Sequence, residues 1–211
     1  MKLNSYNSLL ELFFDQYKKQ DKNNIFLINL GNPNHKLSWE KTYLLVNHLS
    51  NQISKDIKLG DRCVLISENR PEWLISDLAI MLAGGISVPS YTTYTTKDYE
   101  YIIKDCEPSV LIVSNNTQFN KIKDILDYKK IKKIISFDRI ENLKFQNYLC
   151  IEDIINKKDG FENFNSEITL KRSDPACIIY TSGTQGNPKG VILSHGGILS
   201  NCEGGYELLK S

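Results

Sequence analysis

Short apolar segments alternate with helical stretches from Arg62 onward, and this alternation limits the chain to a small number of folds. Successive parallel strands need crossover connections of about a dozen residues, which helices of this length supply. The apolar segments lack a polar face, as is typical of strands covered on both sides. The pattern therefore predicts an α/β fold, with a doubly wound, mostly parallel sheet and flanking helices. The predicted strands and helices follow one another at 63–67, 71–83, 86–89, 96–106, 110–113, 117–126 and 131–136.

The segment before this core has its own elements. Apolar residues at helical spacing predict a helix over 5–17 and a second over 39–57, with Ser38 as the N-cap of the second. Between the two helices we predict a strand at 26–30. The sequence G-N-P-N-H at Gly31–His35 then predicts a turn.

After the core, a polar stretch rich in asparagine and lysine holds one apolar island at 148–155. The apolar segment Ala176–Tyr180 then predicts a further strand. We interpret the chain as one α/β unit, because neither an internal repeat nor a low-complexity linker divides it. Its parts are the N-terminal helices and strand at 1–60, the α/β core at 61–137, the polar excursion at 138–171 and a final loop and helix at 172–211.

The composition argues against several classes of protein. The 26 basic and 25 acidic residues leave a formal charge of +1, so there is no broad basic field for nucleic acid. A run of 18 apolar residues is absent, and so is the apolar core of a signal peptide, which predicts a cytoplasmic protein. The five cysteines are widely spaced without a C-x-x-C pair. We predict that they are reduced and mostly buried rather than metal ligands.

The segment Tyr180–Val191, Y-T-S-G-T-Q-G-N-P-K-G-V, has the residue types that hold a phosphate. Its glycines let backbone N–H groups converge on an anion without obstruction by a Cβ atom, and Lys189 adds a positive charge. Pro188 and Gly190 flank this lysine, whereas the lysine of a Walker loop opens a helix, and the glycine pattern of a Rossmann loop is absent. The residue order therefore predicts a strand, a loop and a second strand.

This segment closely resembles the phosphate-loop signature of the adenylate-forming superfamily, which includes acyl-CoA synthetases, peptide-synthetase adenylation domains and luciferases. It departs from that signature at Gln185, where the family usually has threonine or serine. The stretches 66–93, with E-N-R-P-E-W and V-P-S-Y-T-T, and 101–114 resemble the long-chain fatty-acid–CoA ligase branch. Leu193–His195 resembles the family's L-[T/S]-H. The resemblance covers nearly the whole chain from Ser5 onward.

The resemblance implies an enzyme that activates a carboxylate with ATP as an acyl-adenylate and then transfers the acyl group to coenzyme A. Mg²⁺ is the implied metal cofactor. The implied partners are small molecules, namely a fatty acid, ATP and coenzyme A, with no nucleic acid, and peripheral membrane contact is an expectation for the full-length enzyme. The residues that the resemblance implies at the β- and γ-phosphates are Thr181, Ser182, Gly183, Thr184, Gln185, Gly186 and Lys189.

The family places its Mg²⁺-binding glutamate, ribose-binding aspartate, adenine pocket and adenylation lysine downstream of this loop. The resemblance therefore implies that the 211 residues are an N-terminal portion, inactive as a ligase alone, with neither a complete catalytic set nor a metal ligand. Two alternatives stay open. One is a peptide-synthetase-type or other adenylating enzyme, and the other is a nucleotide-binding module that does not catalyse.

Three further motifs have structural interpretations. We predict that Asn69 caps the helix that follows it and that Arg70 pairs with a nearby acid. Tyr91–Thr96 is predicted to be a polar loop rather than a nucleophile, in a place where it could line the mouth of a site. We predict that Ser194 or His195 opens a helix, and contact of His195 with nucleotide is the alternative interpretation.

Overall fold

The computed structural model describes residues 3–155, 168–181 and 188–210, except for the side chains of Glu207, Leu209 and Lys210. Its strands are β1 (Ile25–Asn29), β2 (Asn32–Ser38), β3 (Arg62–Ile66), β4 (Ile86–Ser90), β5 (Val110–Val113), β6 (Lys133–Ser136), β7 (Tyr148–Cys150), β8 (Pro175–Thr181) and β9 (Lys189–Ser194). Its α-helices are α1 (Leu9–Lys19), α2 (Trp39–Ser54), α3 (Pro71–Leu82), α4 (Thr96–Cys106), α5 (Asn116–Asn120), α6 (Ile151–Ile155) and α7 (His195–Lys210). A short 3-10 helix at Leu3–Ser5 precedes them.

A seven-stranded sheet organises the described residues, in the order β7-β6-β5-β3-β4-β8-β9. Its strands are parallel except for β9, which runs antiparallel to β8. The central strand β3 pairs with β4 on one side and with β5 on the other, so that Val64 lies between Val88 and Leu111. The chain thus adds β4 on one side of β3 and then crosses over to add β5 on the other side. This confirms the prediction of a doubly wound, mostly parallel α/β fold.

Two hydrophobic clusters cover the two faces of the sheet. Along β3, Cys63 and Leu65 join the cluster built with α1, α2 and α3. Val64 and Ile66 join the opposite cluster, which includes Tyr99 of α4 and neighbouring side chains of α5. Each of these four strand side chains is fully buried. Helices on both faces therefore explain why the strands are apolar without alternation.

The N-terminal region contains a hairpin that the sequence did not predict. Ser38 is the N-cap of α2, as predicted, and its hydroxyl accepts a hydrogen bond from the Lys41 N–H at 3.2 Å. The predicted turn at Gly31–His35 is wrong, because the turn lies at Leu30 and Gly31 and the residues after it form β2. Proline is tolerated there because β2 is an edge strand of a two-stranded sheet.

Three further predictions of local structure need correction. Helix α2 ends at Ser54 rather than at residue 57. Helix α5 ends at Asn120 rather than at residue 126, and the buried side chains of Ile122 and Leu126 belong to the turns and irregular segment that follow it. Asn69 does not cap α3. The N-cap position belongs to Arg70 without a side-chain hydrogen bond, and Pro71 at the start of the helix lacks one of the N–H groups that would otherwise be unpaired there.

Part of the predicted polar excursion belongs to the sheet. The apolar island at 148–155 forms β7, which extends the sheet parallel to β6, and the short helix α6. Cys63, Cys106, Cys150 and Cys177 are buried, as predicted for most of the cysteines, and Cys202 is exposed. In the described part of the chain, none of the helices has the length and apolar character to cross a membrane.

Candidate phosphate-binding site

The predicted phosphate loop connects β8 to β9, which confirms the strand, loop and strand arrangement. Thr181 ends β8, Lys189 begins β9, and the two residues lie directly opposite one another in the antiparallel pair. The predicted site residues between them, Ser182, Gly183, Thr184, Gln185 and Gly186, lie outside the described residues. Their roles therefore stay predictions, whereas the positions of the two flanking residues are observed.

The pairing of Thr181 with Lys189 brings a hydroxyl and an ammonium together. Side chains of directly opposed residues project from the same face of an antiparallel pair, with Cβ atoms about 5 Å apart. Both residues are exposed. They lie at the carboxyl end of β8, which is also the end of the sheet where β3 and β4 finish, because these strands are parallel. Ligands of open α/β sheets bind outside the carboxyl ends of the strands.

Gly190 is required by the packing of the strand pair. It lies opposite Tyr180, and a Cβ atom at this position would be 3.0 Å from Cγ2 of Ile178 and 3.2 Å from Cζ of Tyr180. Such distances are too short for a side chain without movement of its neighbours. The glycine after Lys189 therefore lets the Tyr180 ring lie close to β9, next to the beginning of the loop.

Tyr180 anchors the other side of the hairpin. Its ring is buried, and its hydroxyl donates to the carboxylate of Asp105 on α4. Burial, together with this hydrogen bond, raises the pKa of the Tyr180 hydroxyl, so the group stays a donor at neutral pH. The residue that begins the family signature thus fixes β8 to the helix layer, and Thr181 extends beyond it.

The residues that follow β9 hold the hairpin to the N-terminal helices. The Ser194 hydroxyl accepts from the Gly197 N–H at 3.1 Å, and α7 begins at His195, as predicted. The His195 side chain is buried, and its Nδ1 accepts a hydrogen bond from the Leu9 N–H at 3.4 Å. Burial lowers the pKa of this imidazole, which favours the neutral form that this hydrogen bond requires. His195 therefore faces α1.

Arg172 makes a second connection in this region. Its guanidinium donates to the carbonyl oxygens of Tyr6 at 2.7 Å and of Gly196 at 3.2 Å. A Cβ atom on Gly196 would lie 2.9 Å from the Arg172 carbonyl oxygen, so this glycine permits the close approach. No local sequence pattern indicates a role for Arg172, because its partners come from opposite ends of the chain.

A separate cavity of about 660 Å³ lies at the carboxyl ends of β3 and β6. Its walls include Arg70, which donates to both carboxylate oxygens of Asp138 at 2.8 Å and contacts Glu72 at 3.3 Å. This confirms the prediction that Arg70 pairs with an acid. Glu68 and Glu152 add further carboxylates to the walls. Because carboxylates outnumber cations here, the electrostatic potential of this cavity opposes the binding of a triphosphate. The loop end of the β8–β9 hairpin is the better phosphate site.

The model of the AMP-binding enzyme family matches residues 13–210. The chain belongs to this family. Among curated family members, it is 31% identical over 176 residues to "Long-chain-fatty-acid--CoA ligase ACSBG2" of Xenopus laevis, which is 80% of this chain and 23% of that protein. It is 29% identical over 201 residues to "Long-chain-fatty-acid--CoA ligase ACSBG1" of Homo sapiens, which is 93% of this chain and 26% of that protein.

A solved structure, that of the anthranilate CoA ligase AuaEII in complex with anthranoyl-AMP, shares the fold. Its TM-score is 0.73 at 23% identity, over 92% of this chain and 36% of that chain. The chain spans about a quarter of the length of the curated relatives named above. The comparisons therefore establish the family and the fold of this AMP-binding region.

Proposed function

We propose that the chain supplies the ATP-phosphate site of a long-chain fatty-acyl-CoA synthetase. The observation that supports this most strongly is the direct pairing of Thr181 with Lys189. It brings a hydroxyl donor and a cation to one exposed face, where the family loop leaves β8 and returns in β9. The alignment with long-chain-fatty-acid–CoA ligases over most of this chain supports the acyl class.

The proposed chemistry asks the protein to position groups and to neutralise charge. A substrate carboxylate attacks the α-phosphorus of ATP and displaces pyrophosphate, and the thiol of coenzyme A then displaces AMP from the acyl-adenylate. In our proposal Lys189 neutralises charge on the β- and γ-phosphates and on the departing pyrophosphate, while Thr181 donates a hydrogen bond. The proposed donors between them are the side chains of Ser182, Thr184 and Gln185 and the backbone N–H groups of Gly183 and Gly186.

Mg²⁺ and coenzyme A belong to this proposal through the chemistry of the family. Within the described ranges, the structure contains no group of three or more His, Cys, Asp or Glu side chains suited to hold a metal ion. We therefore assign Mg²⁺ no ligand among these residues. When bound, the ion would offset negative charge on the ATP phosphates beside Lys189. We also propose that the 211 residues alone do not complete the reaction; a cytoplasmic location and peripheral membrane contact stay predictions.

Pyrophosphate exchange tests the proposed function. The assay should use the protein that carries residues 1–211 together with any residues that follow them. We expect exchange between ATP and labelled pyrophosphate that depends on a long-chain fatty acid, and acyl-CoA formation once coenzyme A is added. Exchange that depends on an amino acid would instead support the peptide-synthetase alternative.

Two further outcomes would also contradict the proposal. Binding of ATP without exchange for any carboxylate would support the non-catalytic module. Acyl-CoA formation by the purified 211-residue chain would refute the claim that these residues do not complete the reaction.

A further inference from the structure

Five tyrosines form a cluster beside the phosphate loop, which we call the tyrosine cluster (Tyr91, Tyr94, Tyr99, Tyr101 and Tyr180). The ring of Tyr94 stands at 87° to that of Tyr91, with centroids 5.4 Å apart, and at 69° to that of Tyr99, at 5.9 Å. Tyr101 meets Tyr180 at 85° and 6.5 Å. These edge-to-face arrangements are favourable for aromatic pairs, so Tyr94 is held between Tyr91 and Tyr99, and Tyr101 is held against Tyr180.

The hydroxyl of Tyr94 reaches the backbone at the beginning of the phosphate loop. It donates a hydrogen bond to the Tyr180 carbonyl oxygen at 3.2 Å, one residue before Thr181. The ladder between β4 and β8 joins Ser87 to Cys177, three residues before Tyr180. Beyond that ladder, the Tyr94 hydroxyl connects the segment after β4 to the last residues of β8.

The segment that carries Tyr94 is itself fixed in place. The Tyr99 hydroxyl donates to the Tyr91 carbonyl oxygen at 2.7 Å, and Lys121 Nζ donates to the Thr92 carbonyl oxygen. Thr95 closes a capping box at the start of α4. Each contact removes freedom from the loop after β4, so the Tyr94 hydroxyl is presented to β8 from a rigid support.

The Tyr94 hydroxyl is suited to a lasting role as a donor. Its ring is half-buried, and this burial is the main cause that raises the pKa of the hydroxyl. Electrostatic interactions with Tyr91 and Asp98 raise the pKa further. The group is therefore protonated at neutral pH and can donate to a carbonyl oxygen.

We propose that Tyr94 is a positioning residue for the phosphate loop, because its hydroxyl holds the Tyr180 carbonyl and so sets the place where Thr181 enters the loop. The inference rests on the proposed function for the identity of the ligand of this loop, which is ATP. The geometry itself is independent of that ligand. Tyr94 touches the chain beside the reacting groups and acts through Tyr180 and Thr181.

Hydrogen exchange of the ligand-free 211-residue chain tests the positioning role directly. Tyr94→Phe keeps the ring and removes only the hydroxyl. We expect exchange at the Thr181 and Lys189 amides to accelerate about fivefold, the factor that loss of one net hydrogen bond gives, with no change at Val64 in the core. The matched control is Tyr128→Phe, whose exposed hydroxyl donates to the Lys123 carbonyl oxygen at 3.0 Å, within its own segment of the chain.

Equal protection of these amides in the Tyr94→Phe variant and the wild type would overturn the inference, and so would the same acceleration in Tyr128→Phe.

A second arm measures the KM for ATP and the kcat of pyrophosphate exchange in the longer protein. In that protein, Tyr94→Phe should raise the KM for ATP about fivefold, without a fall in melting temperature large enough to explain the rise. An unchanged KM would overturn a role of Tyr94 in ATP binding. If the wild type shows no exchange, the proposed function fails, while the hydrogen-exchange result still decides the role of Tyr94.

Discussion

Strands β3 and β9 belong to one sheet but differ in how their side chains are covered. From Cys63 to Ile66 every side chain of β3 is fully buried. In β9, Val191, Ile192 and Leu193 are 44%, 63% and 37% exposed, although all three are apolar. The central strand is paired on both sides and covered on both faces, whereas β9 is an edge strand paired with β8.

The difference separates the part of the molecule that stabilises the fold from the part that carries the proposed phosphate site. The centre of the sheet buries apolar surface against helices on both faces, which is the main source of stability. The hairpin that carries Thr181 and Lys189 is held by strand pairing and by polar contacts from Tyr94, Tyr180 and Arg172. Ligand-binding loops commonly belong to the less stable parts of a domain.

The largest expected effect comes from a cavity at the centre of the sheet. Ile112→Ala in β5 removes a fully buried side chain and should lower the free energy of unfolding by about 2 to 5 kcal/mol. Ile192→Ala in β9 is the matched control, because it makes the same change on an exposed side chain, and its effect should stay within about 0.5 kcal/mol. Urea unfolding of both variants measures the two values. Similar losses for the two variants would remove the contrast between the strands.

A smaller effect is expected from the contact between α7 and α1. The pKa of His195 is lowered in the folded protein, so the unfolded chain binds a proton more readily as the pH falls below the ordinary value of 6.5. Stability from this contact is therefore present at higher pH and is lost as the pH falls. Between pH 8 and pH 5 the wild type should lose more of its free energy of unfolding than His195→Gln, as measured by urea unfolding at each pH. Parallel pH profiles for the two proteins would contradict this reading of the imidazole.

The centre of the sheet was predictable from the sequence because its signals are local. Apolar segments such as Val110–Val113 and the helical stretches between them determine a parallel arrangement without knowledge of their partners. The strand, loop and strand arrangement was predictable for a similar reason, since Pro188 disfavours helical geometry just before Lys189. The family signature then gave the phosphate loop a chemical meaning.

The errors and omissions depend on contacts between distant residues. The polar strand β2 gives no apolar signal and is defined only by its pairing with β1. The apolar spacing at Ile122 and Leu126 resembles a helix, although Ile122 is buried from a turn and Leu126 from the irregular segment after it. The hydrogen bond from Tyr94 to Tyr180 joins residues far apart in the chain, so only the fold brings them together.

In the proposed function, Lys189 holds the phosphates of ATP at the exposed end of the β8–β9 hairpin. The most direct test is the kcat/KM for ATP in fatty-acid-dependent pyrophosphate exchange by the protein that carries this sequence. Lys189→Ala should lower this value by about 10² to 10³, because a cation is removed from the charged transition state. Lys129→Ala is the matched control, since it removes an exposed lysine near the amino end of β6, at the opposite end of the sheet. Its value should be unchanged. Retention of full exchange activity by Lys189→Ala, in a folded variant, would contradict the account.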